Sequence, residues 1–175
     1  MFESLFRNIP PVVKNLLIIN VLFYLATVLL EQQGINITGY LGLHYIESNQ
    51  FYPHQLITYM FMHGSVMHIF FNMFAVWMFG RVLEQVWGPK RFLIYYMATG
   101  IGAGIIQILV AYIRLISVRD LLSPEEFDYI INNGYEILQN RQNFTDPIAA
   151  QANILINIGT VGASGAVFGI LLAFG

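Results

Sequence analysis

A serine in a glycine-rich turn and two polar residues in an apolar stretch are the side chains here whose types suit catalysis. Ser164 lies in the motif GASG, directly before the apolar run AVFGILLAF. His68 and Asn72 stand at the two ends of HIFFN, so on a helix they share one face. A hydroxyl, an imidazole and an amide are parts from which an acyl-transfer site can be built, with the serine as nucleophile.

Taken separately, each feature also has a purely structural explanation. The His68–Asn72 pair could hydrogen-bond between helices, and Gly165 and Gly169 have the small-x-x-x-small spacing of packed membrane helices. The GASG motif is not the G-x-S-x-G nucleophile elbow, because an alanine follows its second glycine. A serine at a helix N-terminus nevertheless lies beside unpaired N–H groups, and its own N–H can help to hold an oxyanion. Catalysis therefore requires that both features meet at one depth of the same bundle.

Composition places these residues in a membrane protein. The chain is 57% hydrophobic and 10% charged, whereas about a quarter of the residues of a soluble domain are charged. A net charge of −2 without a basic cluster gives no indication of a nucleic-acid partner. The lack of cysteine excludes disulfides, zinc–thiolate sites and thiol nucleophiles. No H-E-x-x-H pattern occurs, and the spacing of His63 and His68 does not put them on one helical face, so we expect neither a metal nor a cofactor.

Four apolar segments must position the polar residues. Segments 12–31, 67–87 and 92–116 are each long enough to cross a hydrocarbon core of about 30 Å as a helix. The fourth segment begins near Ser164 and reaches only Gly175, which gives about 18 Å of helix. We therefore expect an all-α, polytopic membrane helix bundle, with residues 1–175 forming a single domain that is truncated within its fourth transmembrane helix.

Lysine and arginine indicate the orientation of this bundle. Arg7 and Lys14 lie before or at the start of the first apolar segment, and Lys90 and Arg91 lie between the second and the third, whereas Arg114, Arg119 and Arg141 reduce this asymmetry. The positive-inside rule then places the N-terminus in the cytoplasm and the 32–66 and 117–161 segments outside. In that orientation Ser164 and the His68–Asn72 pair both lie at the outer ends of their helices.

The two outer segments differ in character. The 32–66 loop is apolar and aromatic, which fits either a structure lying in the membrane interface or an ordinary packed loop. Within 117–161, Ser123 and Pro124 precede two acids, a pattern typical of a helix start. The sequence predicts a short amphipathic surface helix there.

Three motifs together resemble the rhomboid family of intramembrane serine proteases: HGSVMHIFFNMF, GRVLE and GASGAVFGILLAFG. The resemblance covers the chain from about Pro53 onward. It implies a six-helix bundle in a bacterial cytoplasmic membrane, with a serine–histidine dyad that cleaves transmembrane protein substrates near the outer membrane face. It also implies that Ser164 is the nucleophile and that His68 and Asn72 support the oxyanion.

The resemblance assigns supporting roles to further residues. His63 would have a structural or water-holding role, and Glu84 would tie helices together near the cytoplasmic side. Gly162 and Gly165 flank the serine, where they would let a substrate carbonyl approach. Gly165 and Gly169 would let the fourth helix pack tightly against the sixth. The 117–161 segment is an insertion relative to a bacterial core rhomboid, and neither its role nor the oligomeric state follows from the sequence.

The general base is where this sequence departs from the family. The family's base is a histidine on the sixth helix, in a pattern close to A-H-x-x-G. The four histidines here are His44, His54, His63 and His68, and all precede Ser164. We therefore expect the complete protein to be a protease and residues 1–175 to be inactive alone. The alternative is a catalytically inactive rhomboid-like protein that binds membrane helices, although the intact serine motif favours the enzyme.

Overall fold

The computed structural model describes residues 9–174 and is helical through most of that range. The helices are α1 Pro11–Glu31, α2 Ile37–Leu41, α3 Gln55–Thr58, α4 Val66–Trp87, α5 Pro89–Arg119, α6 Pro124–Gln139, α7 Pro147–Asn157 and α8 Ser164–Phe174. Within the described range the extended backbone pairs only at one antiparallel bridge, between Leu43 and Thr160. The all-α bundle predicted from the sequence is confirmed. Arg7 and Gly175, on which the sequence-based expectations partly rest, lie outside the described residues.

The three long apolar segments form the helices predicted for them. α1, α4 and α5 have 21, 22 and 31 residues and are apolar enough to cross a membrane. A proline lies in the first turn of both α1 and α5. Proline lacks an N–H, and an N–H at this position would have no intrahelical acceptor, so no helix hydrogen bond is lost. Outward residues such as Leu22, Phe71 and Ile106 are well exposed, which suits contact with lipid. The chain is therefore built as a multi-pass integral membrane protein.

The main core lies where α1, α4, α5 and α8 meet. It includes the buried residues Val13, Val76, Phe92, Tyr96, Ala166 and Ile170. α4 contains a π-helical turn, Val76–Gly80, between the part that carries Asn72 and the part that carries Glu84. Such turns shift the face that a helix presents, and they are frequent near functional sites.

The connection between α1 and α4, residues 32–65, is packed by its own side chains, and we call it the packed loop. Gln55 is fully buried and joins three parts of the loop. Its Nε2 donates to the Gln50 carbonyl at 2.7 Å, and its Oε1 accepts from the His44 N–H at 3.2 Å. Buried aromatic and methionine residues complete the packing: Tyr45, Tyr59, Met60 and Met62. Internal hydrogen bonds and burial thus fix this loop.

The predicted amphipathic surface helix is confirmed as α6. Ser123 and Glu126 form a capping box, because the Glu126 N–H donates to Ser123 Oγ at 3.2 Å and the Ser123 N–H donates to Glu126 Oε2 at 2.9 Å. α5 ends at Arg119, so the first residues of the 117–161 segment continue that helix. α7 was not predicted, although Asp146 caps it through a 2.8 Å bond from the Ala149 N–H.

A second, smaller core lies beyond the main bundle. α5 is roughly 46 Å long, so it extends past a hydrocarbon core of about 30 Å. α6 and α7 pack on this extension through the buried residues Ala111, Leu115, Val118, Phe127, Ile130, Ala149, Ala152 and Ile156. The Arg119 guanidinium lies 4.3 Å from the centre of the Phe127 ring. Together α6, α7 and their connecting turn form a unit that we call the outer hairpin (residues 124–157).

Candidate active site

The first turns of α4 orient His68 and Asn72. Ser65 caps the helix, with its Oγ accepting from the His68 N–H at 3.2 Å. The cap fixes the helix start, so His68 lies in the first turn and Asn72 one turn further along the same face. Asn72 Nδ2 donates to the His68 carbonyl at 3.0 Å. An amide nitrogen carries two hydrogens, and this bond uses one of them.

The segment that leads into α8 lies against the His68 ring. The Gly162 N–H donates to the Tyr59 carbonyl at 2.9 Å, which draws this segment to the loop before α4. Gly162 has φ +122°, and a Cβ at this position would lie 2.6 Å from both Cε1 and Nε2 of His68. Any side chain here would therefore be strained and would displace the imidazole. Glycine lets the His68 ring approach the backbone two residues before Ser164.

Ser164 is the first residue of α8, and its side chain is exposed. The Val167 N–H donates to the Ala163 carbonyl at 2.9 Å. The N–H groups of residues 164–166 therefore lie at the helix N-terminus without an intrahelical acceptor. Such groups stabilise negative charge. A serine hydroxyl, N–H groups without intrahelical acceptors and an imidazole thus lie at the same end of the bundle.

His63 is buried directly beside His68. It is 3% exposed, its ring centroid lies 5.0 Å from that of His68, and neither ring nitrogen has a hydrogen-bond partner. Burial, and secondarily the nearby His68, lowers the pKa of His63 from 6.5 to about 4, so the ring is neutral at physiological pH. Across residues 9–174, no three His, Asp or Glu side chains are grouped so that they could hold a metal ion.

Gly165 and Gly169 lie against α5. A Cβ at Gly165 would collide with the Ala103 side chain, and one at Gly169 would lie 2.5 Å from Thr99 Cβ. The Tyr95 hydroxyl donates to the Gly169 carbonyl at 2.8 Å across the same contact. The resemblance assigned these glycines to a contact with a sixth helix, whereas in the described structure they bring α8 close to α5.

Glu84 lies at the opposite end of the bundle from Ser164. Its two carboxylate oxygens accept from the backbone N–H groups of Val12 and Val13, at 2.9 and 2.7 Å. These are orphan N–H groups in the first turn of α1. The carboxylate thereby joins the end of α4 to the start of α1.

Sequence reasoning missed three residues that contact or directly precede the segment leading to Ser164. Tyr59 supplies the carbonyl that holds Gly162, and no sequence signal marks that long-range contact. His44 is buried against Gly159, with Nδ1 3.1 Å from the Gly42 carbonyl, and burial lowers its pKa. Asn157 is buried at the end of α7. Its i, i+4 partner Asn153 and the Asp-Pro helix start at 146–147 were readable signals.

The fold and the site define a multi-pass α-helical membrane protein with a polar site at one end of its helices. Residues 49–117 match the rhomboid domain model. The part of the chain that this model matches therefore belongs to the rhomboid family. The matched range contains His63, His68, Asn72 and Glu84, whereas Ser164 lies beyond it.

Curated relatives agree with this family. The chain is 28% identical over 106 residues to the rhomboid protease GlpG of Klebsiella pneumoniae, which covers 61% of this chain and 38% of the relative. It is 37% identical over 51 residues to the rhomboid protease GluP of Bacillus subtilis, covering 29% of this chain and 10% of the relative. It is 40% identical over 55 residues to the RHOMBOID-like protein 6, mitochondrial, of Arabidopsis thaliana, and these residues cover 31% of this chain and 18% of the relative. The chain thus spans well under half the length of these relatives.

Proposed function

We propose that the complete protein is an intramembrane serine endopeptidase that cleaves transmembrane protein substrates near the outer membrane face. The observation that supports this proposal most is the contact of the His68 imidazole with Gly162, two residues before Ser164. This contact brings the polar face of α4 to the N-terminus of α8. Two of the relatives described above are named as rhomboid proteases, which supports a peptidase.

The proposed mechanism assigns one step to each group. Ser164 Oγ attacks a substrate peptide carbonyl while a base takes its proton, which forms a tetrahedral oxyanion. The Ser164 N–H, the His68 ring and the second Asn72 amide hydrogen would donate to that oxygen. The proton then passes to the leaving amine, and water hydrolyses the acyl-enzyme by the same route.

The base in this proposal is a histidine on a sixth helix, as the family resemblance implies. His63 is unsuited to that role because it is buried beside His68 rather than at the serine. A serine hydroxyl without a base is a poor nucleophile. We therefore propose that residues 1–175 need the rest of the bundle for activity.

The arrangement of charges supports a cytoplasmic N-terminus, and with it a site at the outer face. The Glu84 contact brings the start of α1 to the end of α4, so Lys14, Lys90 and Arg91 gather at one end. Ser164, the packed loop and the outer hairpin lie at the other end. Because the chain has no cysteine, single cysteines at Asn49 and Lys90 provide a clean test with an impermeant maleimide. In membrane vesicles whose outer face is exposed, the cysteine at position 49 should react and the one at position 90 should not.

The activity is tested with the complete protein in proteoliposomes that also contain a tagged single-span substrate. Wild type should release a cleaved fragment, and Ser164→Ala should release none. Asn72→Ala should cleave about 10²- to 10³-fold more slowly, as expected on losing one oxyanion donor. Cleavage that persists in Ser164→Ala would contradict the proposal. Substrate binding without cleavage by wild type would instead favour the inactive membrane-helix binder.

A further inference from the structure

The outer hairpin has no role in the chemistry described so far, and it lies beyond the matched residues 49–117. It is nevertheless continuous with the site, because α7 ends at Asn157 and α8 begins at Ser164. The short segment 158–163 is all that separates the hairpin from the proposed nucleophile. Whatever fixes the end of α7 therefore also fixes where this segment starts.

Asn157 is the residue that fixes the end of α7. It is 2% exposed, and its side-chain amide is fully used. Oδ1 accepts from Ser48 Oγ at 2.9 Å, and Nδ2 donates both to the Ile130 carbonyl and to Asn153 Oδ1, each at 3.0 Å. One side chain thereby joins α7 to α6 and to the packed loop before α4.

The surroundings of Asn157 leave little freedom for another arrangement. Gly134 of α6 lies directly over the asparagine pair, so that a Cβ there would collide with Asn153 Oδ1 and come within 2.6 Å of Asn157 Nδ2. Asn153 is fully buried and donates to Asn143 Oδ1 at 2.9 Å. A buried polar network whose members are all paired is rigid and specifies one geometry.

The packed loop holds both ends of the path to Ser164. Ser48, which binds Asn157, follows Leu43 closely in the chain, and Leu43 pairs with Thr160 through bonds of 2.8 and 2.9 Å. Further along, the Tyr59 carbonyl holds Gly162 against the His68 ring. The segment 158–163 is therefore fastened at its start, its middle and its end to the loop that precedes α4.

We infer that the outer hairpin is a positioning element for Ser164, and that Asn157 and Ser48 are its positioning residues. The hairpin anchors segment 158–163 so that the serine and the His68 ring keep a fixed separation. This inference rests on the proposed function, because it assigns the hairpin to the same reaction. A displacement of about 1 Å at a reacting group can cost about 10²-fold in rate. Loosening this anchor should therefore slow the chemistry without removing any catalytic group.

The test compares variants of the complete protein. Asn157→Leu and Ser48→Ala break the anchor, and Ser48→Thr keeps the hydroxyl as a conservative rescue. Asn132→Ala is the matched control. The exposed Asn132 side chain accepts a 3.1 Å hydrogen bond from Asn49, so it also joins the outer hairpin to the packed loop, but it does not touch the end of α7. Two quantities are measured on folded protein: the rate at which a fluorophosphonate labels Ser164, and amide hydrogen exchange in residues 158–163.

The expected result is a drop of about 10- to 100-fold in labelling rate and in kcat for Asn157→Leu. KM should stay within about twofold, and exchange in 158–163 should accelerate. Ser48→Ala should show a smaller effect of the same kind, and Ser48→Thr and Asn132→Ala should resemble wild type. A merely stabilising contact would lower the unfolding temperature but leave the labelling rate per folded molecule unchanged.

Two results would overturn the inference, and they are distinguishable. If wild type labels at Ser164 but Asn157→Leu and Ser48→Ala label and exchange at the same rates, only the positioning role is wrong. If wild type does not label more than Ser164→Ala, the proposed function fails and the positioning role fails with it.

Discussion

At the scale of single residues, Glu84 has a role that a stability measurement can isolate. Its carboxylate accepts two backbone N–H groups of α1 and is 2% exposed. Glu84→Ala would leave both donors without a partner, and bonds to a charged group are worth about 1.5–3 kcal/mol each. We expect Glu84→Ala to lower the free energy of unfolding in detergent by about 3 kcal/mol or more, and Glu84→Gln by less, because one acceptor oxygen remains.

Glu136→Ala is the control for that measurement, since Glu136 is exposed on α6. Such surface changes usually alter stability by no more than about 0.5 kcal/mol. Equal stability of Glu84→Ala and Glu136→Ala would show that the contact between α4 and α1 contributes nothing.

His63 gives a prediction about pH. Burial lowers its pKa from 6.5 to about 4, so between these values the unfolded chain binds a proton that the folded protein does not. The free energy of unfolding should therefore be largest above pH 6.5 and fall as the pH falls towards 4. Thermal unfolding across this range should show the loss, and His63→Gln should reduce it.

His44 shifts in the same direction, so it should leave a residual pH dependence in His63→Gln. The control is Asn132→Ala, which changes an exposed residue, removes no titratable group and should keep the wild-type pH profile. A profile that is identical in wild type and His63→Gln would contradict a buried, neutral His63.

At the scale of elements, the close contact of α8 with α5 depends on glycine. A Cβ at Gly169 would lie 2.5–2.6 Å from atoms of Thr99, whereas a Cβ at Gly102 of α5 would meet nothing within 4 Å. Overpacking costs about 1–3 kcal/mol, and alanine favours a helix over glycine by up to about 1 kcal/mol. Gly169→Ala should therefore lower the thermal unfolding temperature, and Gly102→Ala should keep or raise it. A lower unfolding temperature in both variants would show that the effect is not specific to the contact.

The elements also show what the sequence could and could not predict. α1, α4 and α5 follow from apolar length, and α6 follows from the Ser-Pro-Glu-Glu start, because both signals are local. α7 escaped prediction because Asn153 and Asn157 interrupt the apolar pattern that precedes Ser164. They are instead buried against α6 and the loop, beyond the main bundle. The local sequence around a polar residue does not show which distant group will hydrogen-bond to it.

The candidate site was likewise predictable only in part from the sequence. His68 and Asn72 on one helical face, and Ser164 at a helix start, are local patterns that the structure displays. The approach of Gly162 to His68 and to Tyr59 is a long-range contact set by how α4, α8 and the loop pack. Spacing within a sequence does not encode such packing, so the residues could be singled out but their arrangement could not.

At the scale of the whole molecule, the structure has two parts with separate cores, to which we assign different tasks. The apolar bundle of α1, α4, α5 and α8 presents serine, imidazole and amide at one end, and the outer hairpin packs beside them on the extension of α5. The account needs both the described residues and a histidine base beyond them. Activity should therefore belong to the complete protein rather than to residues 1–175.

Labelling with a fluorophosphonate serine probe tests this account most directly. The complete protein, its Ser164→Ala variant and residues 1–175 alone are treated in parallel, and the labelled residue is identified by mass spectrometry. We predict labelling of the complete protein at Ser164, none in Ser164→Ala, and labelling of residues 1–175 slower by about 10³-fold or more, because the base is missing. Labelling that persists in Ser164→Ala, or rapid labelling of residues 1–175 at Ser164, would contradict the account.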